Sequence, residues 1–196
     1  MGNISGNEAL QLLMEGNKRF TTGNLAVKDT GPARRDELVS KGQKPFAIII
    51  TCSDSRVPPE LIFDQALGDL FVIRTAGNVV DPIAVGSAEY AVEHLGAPLL
   101  VVMGHEKCGA VQATVDGGEA PGSIAAIVAK IAPSVQKARD AGAAGNDLYE
   151  ECCLENIKAT ISEIMESHIV KHFIKDGKLT VMGAKYYLGS GEVEFI

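Results

Sequence analysis

The chain has 196 residues, 46% hydrophobic and 22% charged, enough for one domain with a sizeable core. Its formal net charge of −7 argues against a nucleic-acid surface, because phosphate binding needs clustered Lys and Arg. The longest apolar runs, such as Ala47–Thr51 and Ala97–Met103, fall far short of the ~20 residues a membrane-spanning helix needs.

In chain order, Asn7 is expected to cap a helix running to about Phe20, with Leu10, Leu13 and Met14 on one side. A polar link follows, then a short helix over Arg34–Ser40. Ala47–Thr51 is a continuous apolar, β-branched run, read as a strand buried on both faces. Leu70–Arg74 and Leu99–Met103 read as further strands, separated by a helix over Val85–Leu95 that ends at Gly96. A helix from Ser123 carries Ile124, Ile127, Val128, Ile131 and Val135 on one face, and Pro133 is expected to kink or break it. After a loop over Ala141–Asn146, one longer helix with the stripe Ile157, Ile161, Ile164, Met165 and Ile169 runs toward Gly177. Leu179–Gly183 and Val193–Ile196 complete the strands. The alternation predicts an α/β fold, with a mostly parallel four- to five-stranded sheet flanked by helices on both faces. Residues 1–196 read as a single domain, with 1–45 an N-terminal helical arm and the core beginning at about 46.

Two short clusters close predicted strands. Cys52-Ser53-Asp54-Ser55-Arg56 follows the first strand at once, and His105-Glu106-Lys107-Cys108 follows the third after one Gly. In a parallel sheet both lie beyond the carboxyl ends, where ligands gather. Cys52, His105 and Cys108 offer two thiolates and an imidazole, a soft set suited to one Zn²⁺ per chain, and leave a fourth position for a carboxylate or a water. Gly104 and Gly109 permit the tight turn this element needs. Two thiolates cancel the formal charge of Zn²⁺, so a bound hydroxide needs support. Asp54 can accept its hydrogen bond while Arg56 holds Asp54 ionised and oriented. A structural zinc closed by Asp54 is the competing reading.

The other two cysteines, Cys152 and Cys153, are adjacent and would point roughly 100° apart on a helix, so they are poorly placed to bridge each other. With no disulfide framework, the expected compartment is reducing. The N-terminal Met1-Gly2-Asn3-Ile4-Ser5-Gly6 has neither the basic nor the apolar region of a signal peptide, and the expected location is cytoplasmic, although a leader already removed would leave the same view. His168 and His172, four apart on a predicted helix, read as packed or interface histidines rather than a metal pair. Gly117–Gly122 is a loop and not a phosphate cradle, since no Gly-Lys-Ser/Thr follows.

The motif residues also resemble a family. Cys-Ser-Asp-Ser-Arg-Val at 52–57, Gly68-Asp69-Leu70-Phe71-Val72-Ile73-Arg74, Ala76-Gly77-Asn78, and Gly104-His105 through Cys108-Gly109-Ala110 are similar to signature blocks of the β-carbonic anhydrases. The resemblance runs over nearly the whole chain. It implies zinc-dependent reversible hydration of CO₂ to bicarbonate and a proton, by attack of a zinc-bound hydroxide. Cys52, His105 and Cys108 would be the ligands, and Asp54 with Arg56 the catalytic dyad.

Within that family the chain resembles the plant-type, open-site branch, whose substrate pocket is lined at positions matching Gln43, Phe71 and Tyr90. Ala76 stands where that branch often carries Val, which implies a slightly roomier pocket. A second branch gates its site with bicarbonate in a pocket holding a Trp three residues before the first ligand. Here that position is Ile49, and the chain has no Trp. Arg74 belongs to a block common to both branches and does not separate them. The expectation is therefore an open site at neutral pH, with Asp54 paired to Arg56. The resemblance further implies a homodimer or tetramer, with a helix around Glu8–Arg19 lying across the neighbour and Phe71 and Tyr90 reaching the partner's active site. Two alternatives stay open: a CS₂/COS hydrolase on the same scaffold, and a non-catalytic zinc-binding regulatory module. Retention of both Asp54 and Arg56 counts against the second.

Overall fold

Five strands that pair into one sheet organise the chain, seen in a computed structural model that describes residues 4–196. They are β1 (Ala47–Cys52), β2 (Leu70–Thr75), β3 (Leu99–His105), β4 (Thr180–Tyr186) and β5 (Val193–Phe195), in the spatial order β2-β1-β3-β4-β5. All pairings are parallel except that of β5, which runs antiparallel to β4 at the edge. Every residue of β1 and β3 is buried, as continuous apolar runs covered on both faces require.

Side chains alternate between the two faces with the period of two that a strand imposes. On one face Ile48, Ile50, Leu100 and Val102 pack with helix α4 (Pro82–Glu93), α7 (Asn146–Ile164) and α8 (His168–Lys175). On the other, Ile49, Leu99, Val101 and Met103 meet α1 (Gly6–Thr22) and the short α3 (Pro59–Ile62). Full burial of each such side chain is worth ~1.5–3 kcal/mol, so these two layers fix the register of the sheet. A third cluster lies at the carboxyl end of the strands, where α5 (Gly109–Asp116) and α6 (Ile124–Asp140) supply Val111, Val115, Ile131 and Val135 around Cys52 and Cys108.

Several local expectations are corrected. The first helix is capped by Ser5 rather than Asn7: Ser5 Oγ accepts the Glu8 N–H at 3.2 Å and Glu8 accepts the Ser5 N–H at 2.7 Å, a reciprocal capping box. Its Ala9 and Leu13 bury against the chain's own sheet, while Met14 of the same predicted stripe stays 45% exposed. The predicted helix at 34–40 is α2 (Pro32–Lys41), which begins two residues earlier with Pro at its first position. Helix α6 runs unbroken through Pro133, because packing of Ile131, Ser134, Val135 and Ala138 offsets one lost backbone bond. The single long helix expected after Asn146 is two, α7 and α8. Ser167 ends the first by capping the second, accepting the Val170 N–H at 3.2 Å and donating to Glu89 at 2.6 Å. His168 and His172 on α8 are exposed rather than packed. Met1, Gly2 and Asn3, part of the N-terminal stretch read for a leader, lie outside the described residues. Among those described, no helix is long and apolar enough to cross a membrane.

Candidate metal centre

The parallel ladder decides which residues can meet. Thr51 of β1 lies opposite Met103 of β3, and Thr51 Oγ1 donates to the Met103 carbonyl at 2.8 Å. Cys52 and His105, the last residues of their strands, therefore emerge side by side. From His105 the chain turns through Lys107, at φ 52°, and delivers Cys108 as the N-cap residue of α5. The ligand atoms of Cys52, His105 and Cys108 all lie within 4.8 Å of one another, and all three residues are buried. The sequence cluster and the spatial cluster are the same set.

The fit to a soft divalent cation can be tested on the donor atoms. His105 Nδ1 is engaged with the Glu106 carbonyl at 2.8 Å, which leaves Nε2 as the outward nitrogen. Nε2 is buried and has no hydrogen-bond partner, an arrangement that costs ~1–3 kcal/mol unless something fills it. The two sulfurs are 3.9 Å apart. The Cys108 thiol, donating to Cys52, is the main force holding Cys52 below the ordinary thiol range, with His105 and the Gly77 and Asp54 amides assisting. The same contact, with burial, pushes Cys108 up. Metal-free, the pair keeps one proton between them; a cation that takes both thiolates displaces it. Two sulfurs and an imidazole nitrogen fit zinc.

Around this set the main chain is tied in place. The Cys153 thiol donates to the His105 carbonyl at 3.4 Å. Glu106 accepts the Gly189 N–H at 2.8 Å, fastening the loop after β4 to the ligand turn. Arg74 Nε donates to the Cys52 carbonyl at 3.0 Å and its Nη2 to the Asp54 carbonyl at 2.6 Å, clamping the turn that carries both residues. Burial pushes Cys152 up to about 11 and Cys153 up to about 12, so both stay protonated thiols.

Asp54 and Arg56 meet as a fork-to-fork pair. Asp54 Oδ1 accepts from Arg56 Nε and from its backbone N–H, each at 2.9 Å, and Oδ2 accepts from Nη2 at 2.7 Å. These bonds, led by the guanidinium, hold the Asp54 carboxyl down at about 2. Its Oδ2 is 3.9 Å from His105 Nε2, so a committed carboxylate borders the ligand set.

The four remaining positions divide. Ala76 directly precedes Gly77, whose N–H donates to Cys52 Sγ at 3.3 Å, and so it sits beside the ligands. Gln43, Phe71 and Tyr90 do not. Gln43 precedes β1 and lines a cleft of about 240 Å³ with Lys44, Asp69, His94 and Pro98. Phe71 pairs in register with Ile48, near the start of β1, and its ring lies 6.3 Å from that of Tyr90, which in turn is 5.2 Å from His94. Five residue steps separate Ala47 from Cys52, ~16 Å of strand. Within one chain these three side chains occupy the opposite end of the sheet from the sulfurs.

Comparison with known proteins agrees with this geometry. The carbonic anhydrase family profile matches residues 47–193, which include both clusters. The chain belongs to the β-carbonic anhydrase family. It is 40% identical over 191 residues to a carbonic anhydrase of Mycolicibacterium smegmatis, covering 95% of this chain and 91% of that one. Among solved structures, the β-carbonic anhydrase CcaA superposes with a TM-score of 0.74 at 28% identity, covering 95% of this chain and 98% of that one. A Coccomyxa β-carbonic anhydrase in complex with acetazolamide superposes with a TM-score of 0.69 at 28% identity, covering 95% and 86%.

Proposed function

We infer that this chain catalyses the reversible hydration of CO₂ to bicarbonate and a proton, with one Zn²⁺ per chain held by Cys52 Sγ, His105 Nε2 and Cys108 Sγ. The observation that carries the reading is the buried, unpartnered Nε2 of His105, grouped with two sulfurs and bordered by the Asp54 carboxylate. Zinc bound there supplies Lewis acidity, which makes water acidic enough to provide a nucleophile for CO₂ near neutral pH.

The chain's own residues do the rest. Asp54 is ionised and acceptor-only, so it takes the hydrogen bond of a water beside the ligands and turns that water's lone pair toward CO₂. Arg56 engages both Asp54 oxygens and keeps the carboxylate from becoming a ligand itself, the open arrangement of the plant-type branch. Ala76, small and next to the sulfur, leaves room for the substrate. Burial of the ligands excludes bulk water from one side of the site.

Gln43, Phe71 and Tyr90 serve this pocket when a second copy presents them, so the working form is a homodimer or tetramer. Their distance from the ligands in one chain supports this, as do the exposed apolar side chains of Val39, Leu67 and Tyr90. Residues 1–196 act as one domain, with 1–45 as its arm. Four free thiols suit a reducing compartment such as the cytoplasm. The test is stopped-flow CO₂ hydration by the zinc-loaded protein, with chelator-stripped protein and CS₂ hydrolysis measured in parallel. Fast hydration that vanishes on stripping is expected. Equal activity without metal, or turnover of CS₂ alone, overturns the reading.

A further inference from the structure

Helix α7 faces the sheet with apolar residues, yet the side chain of Asn156 lies within that buried surface at 1% exposure. A primary amide there is destabilising unless it is paired, so its partner is informative. Asn156 Nδ2 donates to the Gly77 carbonyl at 2.7 Å. One turn further along, Thr160 Oγ1, also buried, donates to the Asn78 carbonyl at 3.2 Å. Both acceptors belong to the 3-10 turn Ala76–Asn78 that follows β2.

That turn does not hold its shape by local preference. Gly77 has φ 72° and Asn78 φ 48°, both in the left-handed region. A Cβ on Gly77 would fall 2.7 Å from Ile131 Cδ1 and 3.0 Å from the Ala110 Cβ, so the turn is also pressed between α6 and α5. Its other side meets the metal centre, where the Gly77 N–H donates to Cys52 Sγ. The chain of contacts runs from Asn156 to the Gly77 carbonyl, and from the Gly77 amide to a ligand sulfur.

We propose that Asn156 is a positioning residue of the metal centre, with Thr160 as a weaker second anchor: by fixing Gly77 it keeps an N–H on Cys52 Sγ, and that hydrogen bond sets how much charge the sulfur donates to the metal. The inference rests on the zinc reading above. An N–H directed at a thiolate withdraws electron density from it, and a less donating sulfur leaves the cation a stronger Lewis acid. This matters more here than in a three-imidazole site, because two thiolates already spend the formal charge of Zn²⁺. Asn156 itself touches neither metal nor substrate.

The test replaces zinc by Co²⁺ and reads the thiolate-to-cobalt charge-transfer band of the parent, Asn156→Ala and Thr160→Val, alongside the pH profile of CO₂ hydration by the zinc forms. Losing the anchor makes Cys52 a stronger donor. The band should move to longer wavelength, and the apparent pKa of the rate profile should rise by about half a unit in Asn156→Ala and less in Thr160→Val. If Asn156→Ala does not fold, the near-isosteric Thr160→Val carries the test. A folded variant with lowered melting temperature but unmoved band and pH profile makes the contact a structural clamp only and overturns the proposal. Absence of any thiolate band in the parent overturns the zinc reading instead, so the two failures are told apart.

Discussion

At the carboxyl end of the sheet, Cys52, His105 and Cys108 are 5%, 0% and 3% exposed, and their carbonyl, sulfur and ring atoms are tied by Arg74, Gly77, Glu106 and Cys153. At the amino end, Gln43 is exposed, Tyr90 is 48% exposed, and Phe71 is only half-buried, packed between the core of that face and the ring of Tyr90. The first region is preorganised, as metal ligation and charge stabilisation demand. The second leaves an amide and an aromatic side chain, Gln43 and Tyr90, exposed at the surface, as residues are when their partner surface comes from elsewhere. On the function proposed above, the chain builds its metal chemistry internally and its substrate pocket from two copies.

The largest effect should come from breaking the carboxyl end. Replacing Cys108 with Ser removes one of the two thiolates and leaves His105 Nε2 and Cys52 Sγ as an incomplete set. Most zinc and nearly all CO₂ hydration should be lost, read by atomic emission after dialysis against chelator and by stopped flow. Stoichiometric zinc retained by this variant would remove Cys108 from the ligand set.

Asp54→Asn tests the neighbouring carboxylate without touching a ligand. The amide can still accept, yet it loses the charge that pairs with Arg56 and orients water. Zinc should stay at one per chain while the rate falls ~10²-fold, the scale of losing one oriented charged partner. Unchanged turnover in a zinc-loaded variant would show that the pair is only structural.

The same residue has an acid signature in metal-free protein. Its folded value of about 2 lies below the ordinary 3.8, so the ion pair stabilises the fold above about pH 4 and that contribution disappears as pH falls toward 2. Arg56 is 54% exposed, so screening trims the gain. Urea unfolding of stripped protein across this window should show an acid limb that is shallower in Asp54→Asn. Identical limbs would contradict the depressed carboxyl.

Much of the fold and the ligand set was legible because the signals were local. Ala47–Thr51 and Leu99–Met103 are apolar runs that only a doubly covered strand accommodates, and the first ligand after each run comes within two residues. The capping box is equally local, since Ser5 and Glu8 have its spacing, although Asn7 offers a second capping side chain two residues on. Helix α5 begins at Gly109-Ala110 and α3 at a Pro pair, neither with a useful period. The break before α8 was hidden by an apolar stripe that continues across it. Arg74 and Asn156 act through contacts 20 to 79 residues away, which no periodicity encodes. The family resemblance implied pocket roles for Gln43, Phe71 and Tyr90 and already sent Phe71 and Tyr90 to a partner, and the register of β1 and β2 adds the distance within one chain, with Phe71 opposite Ile48 near the start of β1.

That separation supplies the finest test. Gln43→Ala removes a hydrogen-bond donor at the amino end and should lower kcat/KM by ~10-fold, about one hydrogen bond, with zinc content unchanged. Taken alone, such a loss does not say whose pocket was damaged. Complementation does. A Cys108→Ser copy lacks its metal but presents an intact Gln43, while a Gln43→Ala copy keeps its metal and lacks the donor. Unfolded together and refolded as a mixture, some oligomers pair the intact amino end of one copy with the metal centre of the other. If pockets are shared, activity per zinc in the mixture should rise above that of Gln43→Ala alone and approach the parent value as Cys108→Ser is added in excess. If each chain served its own site, the inactive copy would only dilute the other, and activity per zinc would stay flat at every ratio. A flat titration, with mixed oligomers verified by mass, would return Gln43 to a structural role and leave the pocket to be sought at the carboxyl end alone.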